Sequence, residues 1–248
     1  MSKVVLVTGA AKGIGRAIAR ELAENHYDVV INYLTSEKEA FELRDELIQK
    51  YGIRCMAVKA DVSVEEEVEE MMEVVEDELG GIDILVNNAA VDLSNLFHLK
   101  TSEEFRRTLD VNVIGAYHCA KRVYPYMKDR KWGRIINIAS TNGINTYYPM
   151  CIDYDASKAA LISLTHNLAV QFAPYVTVNA IAPGFIGTEN ELDGYDEEFL
   201  KQETEKILVG RYGEPEEVAH LVRFLVSDEA GFINSSVIRI DGGQMGSI

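Results

Sequence analysis

The sequence predicts an α/β fold in a single domain, a seven-stranded parallel sheet with helices on both faces. Three observations carry that expectation. Apolar runs of strand length alternate with helix-length periodic segments. The first run ends in a glycine turn that opens a helix. Finally, 248 residues at 47% hydrophobic content suffice to bury one sheet from both sides.

Taken in order, Val4–Val7 reads as a buried strand, followed by the turn Thr8-Gly9-Ala10-Ala11-Lys12-Gly13-Ile14-Gly15 and a helix containing Arg16–Leu22. Further strands are predicted at Val29–Ile31, Met56–Val58, Ile84–Val86, Ile135–Ile138, Val176–Ile181 and Val237–Ile240. The segment from Val64 to Leu79 is dense in glutamate, yet Val64, Val68, Met71, Met72, Val75 and Leu79 recur at helical spacing, which gives an amphipathic helix with a solvated acidic face. Gly52, Gly80-Gly81 and Gly133 punctuate the short connections, and Pro215 suits the first turn of a C-terminal helix.

Composition narrows the function classes. A formal charge of −16 disfavours nucleic acid as a partner. No apolar run reaches transmembrane length and no signal segment is visible, so a cytoplasmic protein without a membrane partner is expected. Cys55, Cys119 and Cys151 are odd in number and widely separated, and the histidines at 26, 98, 118, 166 and 220 never fall at ligand spacing; neither disulfides nor a metal site are expected.

Two motifs carry chemistry. In the glycine turn, Gly9-x-x-x-Gly13-x-Gly15 lets the backbone approach a pyrophosphate while the helix start offers unpaired N–H groups and a positive dipole end. In Tyr154-Asp155-Ala156-Ser157-Lys158 a phenol and an ammonium lie one helical turn apart, and a neighbouring cation favours the phenolate, bringing a tyrosine into range for acid catalysis. Chemistry-bearing residues follow the predicted strands at their carboxyl ends: Thr8-Gly9, Asp61, Asn87-Asn88, Ser140 and Pro183-Gly184, where ligands of open α/β sheets bind.

Together these motifs resemble the short-chain dehydrogenase/reductase family, in order, over essentially the whole chain. Ile82–Ala90 is similar to the family's fourth strand and Asn-Asn-Ala-Gly turn, with Ala90 where glycine is usual. Asp110-Val111-Asn112 resembles the start of its long helix, Arg134–Ser140 the strand ending in the catalytic serine, and Pro183–Thr188 the loop covering the nicotinamide. The resemblance implies a doubly wound (Rossmann) dinucleotide-binding and catalytic domain over residues 1–248, and hydride transfer between a nicotinamide and a carbonyl or secondary alcohol. It implies Tyr154 as proton donor and Ser140 as a hydrogen-bond donor to the developing alkoxide. Lys158 would lower the tyrosine's pKa and hold ribose hydroxyls, and Asn112 would hold a water that connects Lys158 to solvent. The implied dinucleotide contacts are Gly9, Lys12, Gly13, Ile14, Gly15, Tyr33, Ser36, Asp61, Val62, Asn88, Ala89, Tyr154, Lys158, Pro183, Gly184, Ile186 and Thr188.

The second strand ends in Asn32-Tyr33-Leu34-Thr35-Ser36, without the carboxylate that would bind a ribose 2′-hydroxyl, and Lys12 places a cation inside the glycine turn. Both favour NADP(H), with NAD(H) as the alternative, while Glu37 and Glu39 weigh the other way. The nearest look-alikes are bacterial 3-oxoacyl-(acyl-carrier-protein) reductases of fatty acid biosynthesis, which share the Arg211–Ala219 type of helix start; this makes a 3-oxoacyl thioester the expected substrate and acyl carrier protein a candidate partner. The acidic chain would repel an acidic carrier unless a basic patch intervenes, for which Lys128, Arg130, Lys131 and Arg134 are the candidates. Three features depart from the family pattern: Tyr175 where a basic residue is found in carrier-binding members, Asn234-Ser235-Ser236 where a Gly-containing turn is typical, and Asn145–Asp153, one residue longer and bulkier. These leave a sugar, polyol or other small secondary-alcohol dehydrogenase as the alternative. A non-catalytic dinucleotide sensor would be expected to lose part of the Asn-Ser-Tyr-Lys set, and this chain keeps all four. The family also implies a homotetramer, formed through the long helices beginning near Asn112 and Asp153 and through the C-terminal strands.

Overall fold

The computed structural model describes residues 2–145, 147–194 and 196–244. Seven strands, β1 (Val4–Val7), β2 (Asp28–Tyr33), β3 (Cys55–Lys59), β4 (Ile84–Asn87), β5 (Gly133–Ile138), β6 (Val176–Pro183) and β7 (Val237–Ile240), form one sheet in the order β3-β2-β1-β4-β5-β6-β7. Every pairing is parallel. This is the doubly wound Rossmann arrangement the alternation predicts. Several strands run longer than their apolar cores: the β2–β3 ladder continues from Val29↔Cys55 to Tyr33↔Lys59, carrying Asn32 and Tyr33 into regular structure.

Alternate strand residues serve opposite cores. Val5, Val7, Ile31 and Val86 pack with Ile18 and Leu22 of α1 (Gly13–Glu24), Leu43 and Leu47 of α2 (Glu37–Tyr51), and Val218 and Val222 of α9 (Pro215–Val226). Val4, Leu6, Leu85 and Val178 pack with Met71 of α3 (Glu65–Leu79), Val123 of α5 (Gly115–Asp129), and Leu168 and Phe172 of α6 (Ile152–Phe172). Each fully buried aliphatic side chain contributes about 2 kcal/mol by leaving water. The glutamate-rich segment is the amphipathic helix its spacing predicts, with Val64 as N-cap and Gly80 closing it at φ 87°, a left-handed conformation that favours glycine.

The long helix expected from Asp110 is built differently. A capping box between Thr101 and Glu104 starts α4 (Ser102–Leu109), which passes through a π-turn at Asp110–Ile114 into α5. A wider turn of this kind re-aims side chains locally and is frequent at functional sites. Gly115 follows it because Val62 lies so close that a Cβ there would come within 2.6 Å of its Cγ2.

The first turn of α6 is anchored by a buried ion pair. Lys100 Nζ lies 3.0 Å from the carboxylate of Asp153 and also donates to the Leu93 carbonyl, while Thr108 Oγ1 donates to Asp153 Oδ2 at 2.7 Å. Burial by itself would raise the Asp153 pKa, but the bonds from Thr108 and Lys100 outweigh it and hold the carboxyl below its usual range. Removing the ammonium strands a buried charge. Lys100→Met is expected to lower unfolding stability by about 3 kcal/mol in urea titrations at neutral pH. The gap between the two proteins should narrow in acid, where Asp153 takes up a proton.

Candidate active site

The strand order reverses between β1 and β4, so a crevice opens at their carboxyl ends. Gly9 (φ +61°) and Gly13 (φ +54°) shape the turn between β1 and α1 in left-handed conformations. A Cβ on Gly15 would come within 2.5 Å of Asn88 Nδ2 and 2.7 Å of the Gly9 carbonyl, so the turn is packed to backbone contact. Asn88 fastens it to β4: Nδ2 donates to the carbonyls of Thr8 (2.9 Å) and Gly9 (3.2 Å), while Thr8 Oγ1 accepts the N–H groups of Asn88 and Ala89. Buried Asn32 holds the other side, accepting from Gly9 N–H at 3.2 Å and donating to the Ala60 carbonyl at 3.0 Å.

A cavity of about 370 Å³ opens over this turn. The predicted Gly9, Lys12, Gly13, Tyr33, Ser36, Asp61, Val62, Asn88 and Ala89 all line it. Ile14 and Gly15 lie in the first turn of α1, where amides lack helical partners. The backbone cradle, the helix start and the cavity together fit a dinucleotide pyrophosphate. Two lining groups escaped the sequence reading. Asn32 looked only like a missing carboxylate. Arg107, far along the chain, donates to Asp61 Oδ2 at 2.8 Å and to Ser63 Oγ. Burial alone would raise the Asp61 pKa; bonds from Ser63 and Arg107 offset it and leave the carboxyl below its ordinary value.

Beyond the cavity, Ser140 follows the carboxyl end of β5, and the short 3₁₀ turn Thr141–Gly143 sets it against α6. Gly143 permits that approach, since a Cβ there would lie 2.6 Å from the Lys158 backbone. Ser140 Oγ accepts the Asn142 N–H at 3.1 Å and donates to Asn142 Oδ1 at 3.3 Å. Lys158 is 2% exposed; its Nζ donates to the Ile138 carbonyl at 2.8 Å and lies 5.4 Å from the centroid of the Tyr154 ring. The buried Asn112 amide, on the π-turn, donates to the Val91 carbonyl (3.0 Å) and to Ser157 Oγ (2.9 Å), and accepts the Val91 N–H (2.8 Å). It therefore also clamps the strand-four loop to α6.

Pro183 ends β6, and Gly184 continues with its N–H on the Ile240 carbonyl at 3.0 Å. Ile186 turns its side chain into the core and bridges Gly213, so only its backbone is available to a ligand. Thr188 lies against the glycine turn, 3.4 Å from where a Gly13 Cβ would stand. The basic patch suggested by the sequence does not form beside this site. Lys128, Arg130, Lys131 and Arg134 lie where α5 passes into the amino end of β5, opposite the crevice. Arg134 is buried, its guanidinium over Trp132 and donating to the Gly133 carbonyl.

Burial pushes the Lys158 ammonium down to about 8 from 10.5. The sign is that of a cation made costly by folding: the native state carries a penalty of roughly 3 kcal/mol below pH 8, and stability rises as pH climbs from about 8 towards 10.5. Lys158→Met should therefore raise the thermal midpoint of ligand-free protein at pH 7, with a smaller gain at pH 10. Calorimetry at the two pH values checks this.

A family model described as Enoyl-(Acyl carrier protein) reductase matches residues 9–245. The chain is 38% identical to a 3-oxoacyl-[acyl-carrier-protein] reductase of Staphylococcus epidermidis, covering 98% of this chain and 99% of that protein. It is 40% identical to an acetoacetyl-CoA reductase of Rhizobium meliloti, over 98% and 99% of the two chains. Among solved structures, an acetoin dehydrogenase from Salmonella typhimurium superposes with a TM-score of 0.89 at 33% identity, over 99% of this chain and 96% of that one. With the crevice, glycine turn and Ser-Tyr-Lys arrangement already in place, these matches show that the chain belongs to the short-chain dehydrogenase/reductase family of NAD(P)-dependent oxidoreductases.

Proposed function

We propose that the chain is an NADP(H)-dependent carbonyl reductase whose substrate is a 3-oxoacyl thioester. The observation that carries the reading is Lys158, a buried cation fixed to Ile138 and facing the Tyr154 ring on the helix that packs against Ser140. The thioester is supported by relatives named for acyl-carrier-protein and coenzyme A substrates.

When bound, the nicotinamide supplies the hydride. Tyr154 gives its proton to the carbonyl oxygen, and Ser140 donates a hydrogen bond to the same oxygen, stabilising charge that grows towards the transition state. The Ser140 hydroxyl accepts the Asn142 backbone N–H, which polarises it as a donor. Lys158, still largely protonated at pH 7, favours the anionic form of a neighbouring phenol and would hold the nicotinamide ribose hydroxyls. Asn112 keeps the proton-relay role the family implies, beside its task of holding Val91. Pro183, Gly184 and the backbone of Ile186 would cover the nicotinamide, and Thr188 lies beside the glycine turn.

For the 2′-phosphate the proposal assigns Lys12, Tyr33 and Ser36. Lys12 is paired with Glu39 at 2.9 Å, and Tyr33 donates to Glu37 at 3.3 Å, so a phosphate would take Lys12 from Glu39. Acyl carrier protein remains a proposed partner. A homotetramer is supported by exposed apolar side chains on the expected faces: Ile114 and Tyr117 along the π-turn and α5, Val170 on α6 and Phe232 before β7. Among the described residues no helix is long and apolar enough to cross a membrane. A second reading, a dehydrogenase of small secondary alcohols, is favoured by the acetoin dehydrogenase likeness and by the altered loop before α6.

Loss of reduced-nicotinamide absorbance with acetoacetyl thioesters, against acetoin, diacetyl and polyols, decides between the two. Rapid NADPH oxidation with the thioester supports the proposal; turnover confined to acetoin or polyols overturns the substrate assignment. Tyr154→Phe is expected to lose about 10²–10⁴ in kcat while retaining dinucleotide binding by fluorescence. Lys12→Ala should raise the NADPH KM about tenfold and leave the NADH KM within about twofold, because only the phosphate meets that ammonium. Equal losses for both cofactors would count against the NADP(H) assignment.

A further inference from the structure

Helix α8 (Glu197–Glu205), which follows the short α7 (Glu189–Gly194), buries a carboxylate where an apolar residue would be ordinary. Glu203 is 2% exposed, and among the described residues of this helix it is the buried one. A carboxylate removed from water needs donors. Tyr148 supplies one from its hydroxyl, 2.7 Å from Glu203 Oε2, and the Lys206 ammonium pairs with Oε1.

The same tyrosine reaches two other segments. Its hydroxyl accepts from Gln244 Nε2 at 3.4 Å, and Gln244, itself buried, accepts the N–H of Phe185 at 3.0 Å in the loop after Pro183-Gly184. On its other side the Tyr148 carbonyl accepts the N–H of Cys151, the N-cap of α6, at 3.0 Å, and the Cys151 carbonyl in turn accepts the N–H of Asp155, the neighbour of Tyr154, at 2.8 Å. Asp155 also accepts from Asn142 Nδ2 at 2.6 Å, and Asn142 holds Ser140. Burial first, and the Glu203 acceptor second, push the Tyr148 pKa upward, so it stays a phenol and a donor. Tyr148 stands in the segment just before α6, and its side chain spans from there to α8.

We propose that Tyr148 is a positioning residue that fastens α8 and the Pro183–Phe185 loop to the catalytic helix, so that these three segments are held as one unit. The kinetic half of its test rests on the carbonyl-reductase reading; the proteolytic half does not.

The test compares wild type with Tyr148→Phe, Glu203→Gln and the double variant by limited trypsin digestion at Lys201 and Lys206, and by steady-state kinetics with the best carbonyl substrate and NADPH. Tyr148→Phe should be cut about tenfold faster without ligand, with the substrate KM raised about tenfold and kcat within about threefold. Because both substitutions act on one shared bond, one removing its donor and the other exchanging its charged acceptor for a neutral one, the double variant should be no worse than about the larger single effect. Unchanged cleavage in Tyr148→Phe overturns the proposal. So do additive effects of the two substitutions, or a fall in kcat at constant KM. Should Tyr148→Phe fail to fold, Glu203→Gln decides by the same cleavage rate. If no carbonyl substrate is turned over, the functional reading fails while the digestion still judges the latch.

Discussion

The site depends on one constraint: a lysine ammonium taken out of water and fastened to the end of a strand. Lys158 Nζ has the Ile138 carbonyl as its fixed acceptor, and burial draws its pKa to about 8. A cation held there costs stability, and the cost is sustained by structure that does not bend. β5 delivers the carbonyl from inside the sheet, between β4 and β6, and α6 delivers the lysine with its first turn locked by the buried Asp153–Lys100–Thr108 cluster. The same helix presents Tyr154, and the turn after β5 presents Ser140. The proposed catalytic set is thus assembled by the relation of one strand end to one helix.

The dinucleotide half obeys a different rule, close backbone approach. Gly15 packs under Asn88 and Gly9 against Ala89, so the turn after β1 and the turn after β4 are a single surface. Thr8, Asn32 and Asn88 commit their side chains to backbone groups of that surface, and the start of α1, whose first amides lack helical partners, meets the cavity at Gly13. The preorganised donors lose little freedom when an anion arrives. Asn112 joins the halves, since its amide ties Val91, beside the β4 turn, to Ser157 on α6.

Legibility in the sequence tracks how local the cause is. The strands and the glutamate-rich helix were readable because burial imposes a period on neighbouring residues. That Tyr154 and Lys158 share one helix was readable because four positions on a helix is a fixed distance. What escaped depends on partners far apart in the chain. Asn32 earns its place from Gly9 and Ala60, and Arg107 reaches Asp61 across 46 residues. The π-turn at Asp110–Ile114 has no residue signature, since it arises where two helical segments meet out of phase. The basic run 128–134 misled for the complementary reason: charge is visible in sequence, but which end of the sheet it occupies, and that Arg134 folds inward over Trp132, is decided by topology.

Net charge is a weaker guide to partners than its size suggests. A formal charge of −16 would seem to oppose a dinucleotide or an acidic carrier, yet at physiological salt an exposed charge is screened beyond about 8 Å. What an incoming anion meets is local: the open end of α1, Lys12 beside Glu39, Arg107 beside Asp61 and the recessed Lys158. Lys12 and Arg107 already have carboxylate partners, so binding there exchanges one anion for another. Selectivity then turns on which anion fits the pocket geometry better. On the proposed NADP(H) reading a phosphate would have to displace Glu39, a short-range contest that the protein's overall acidity hardly enters.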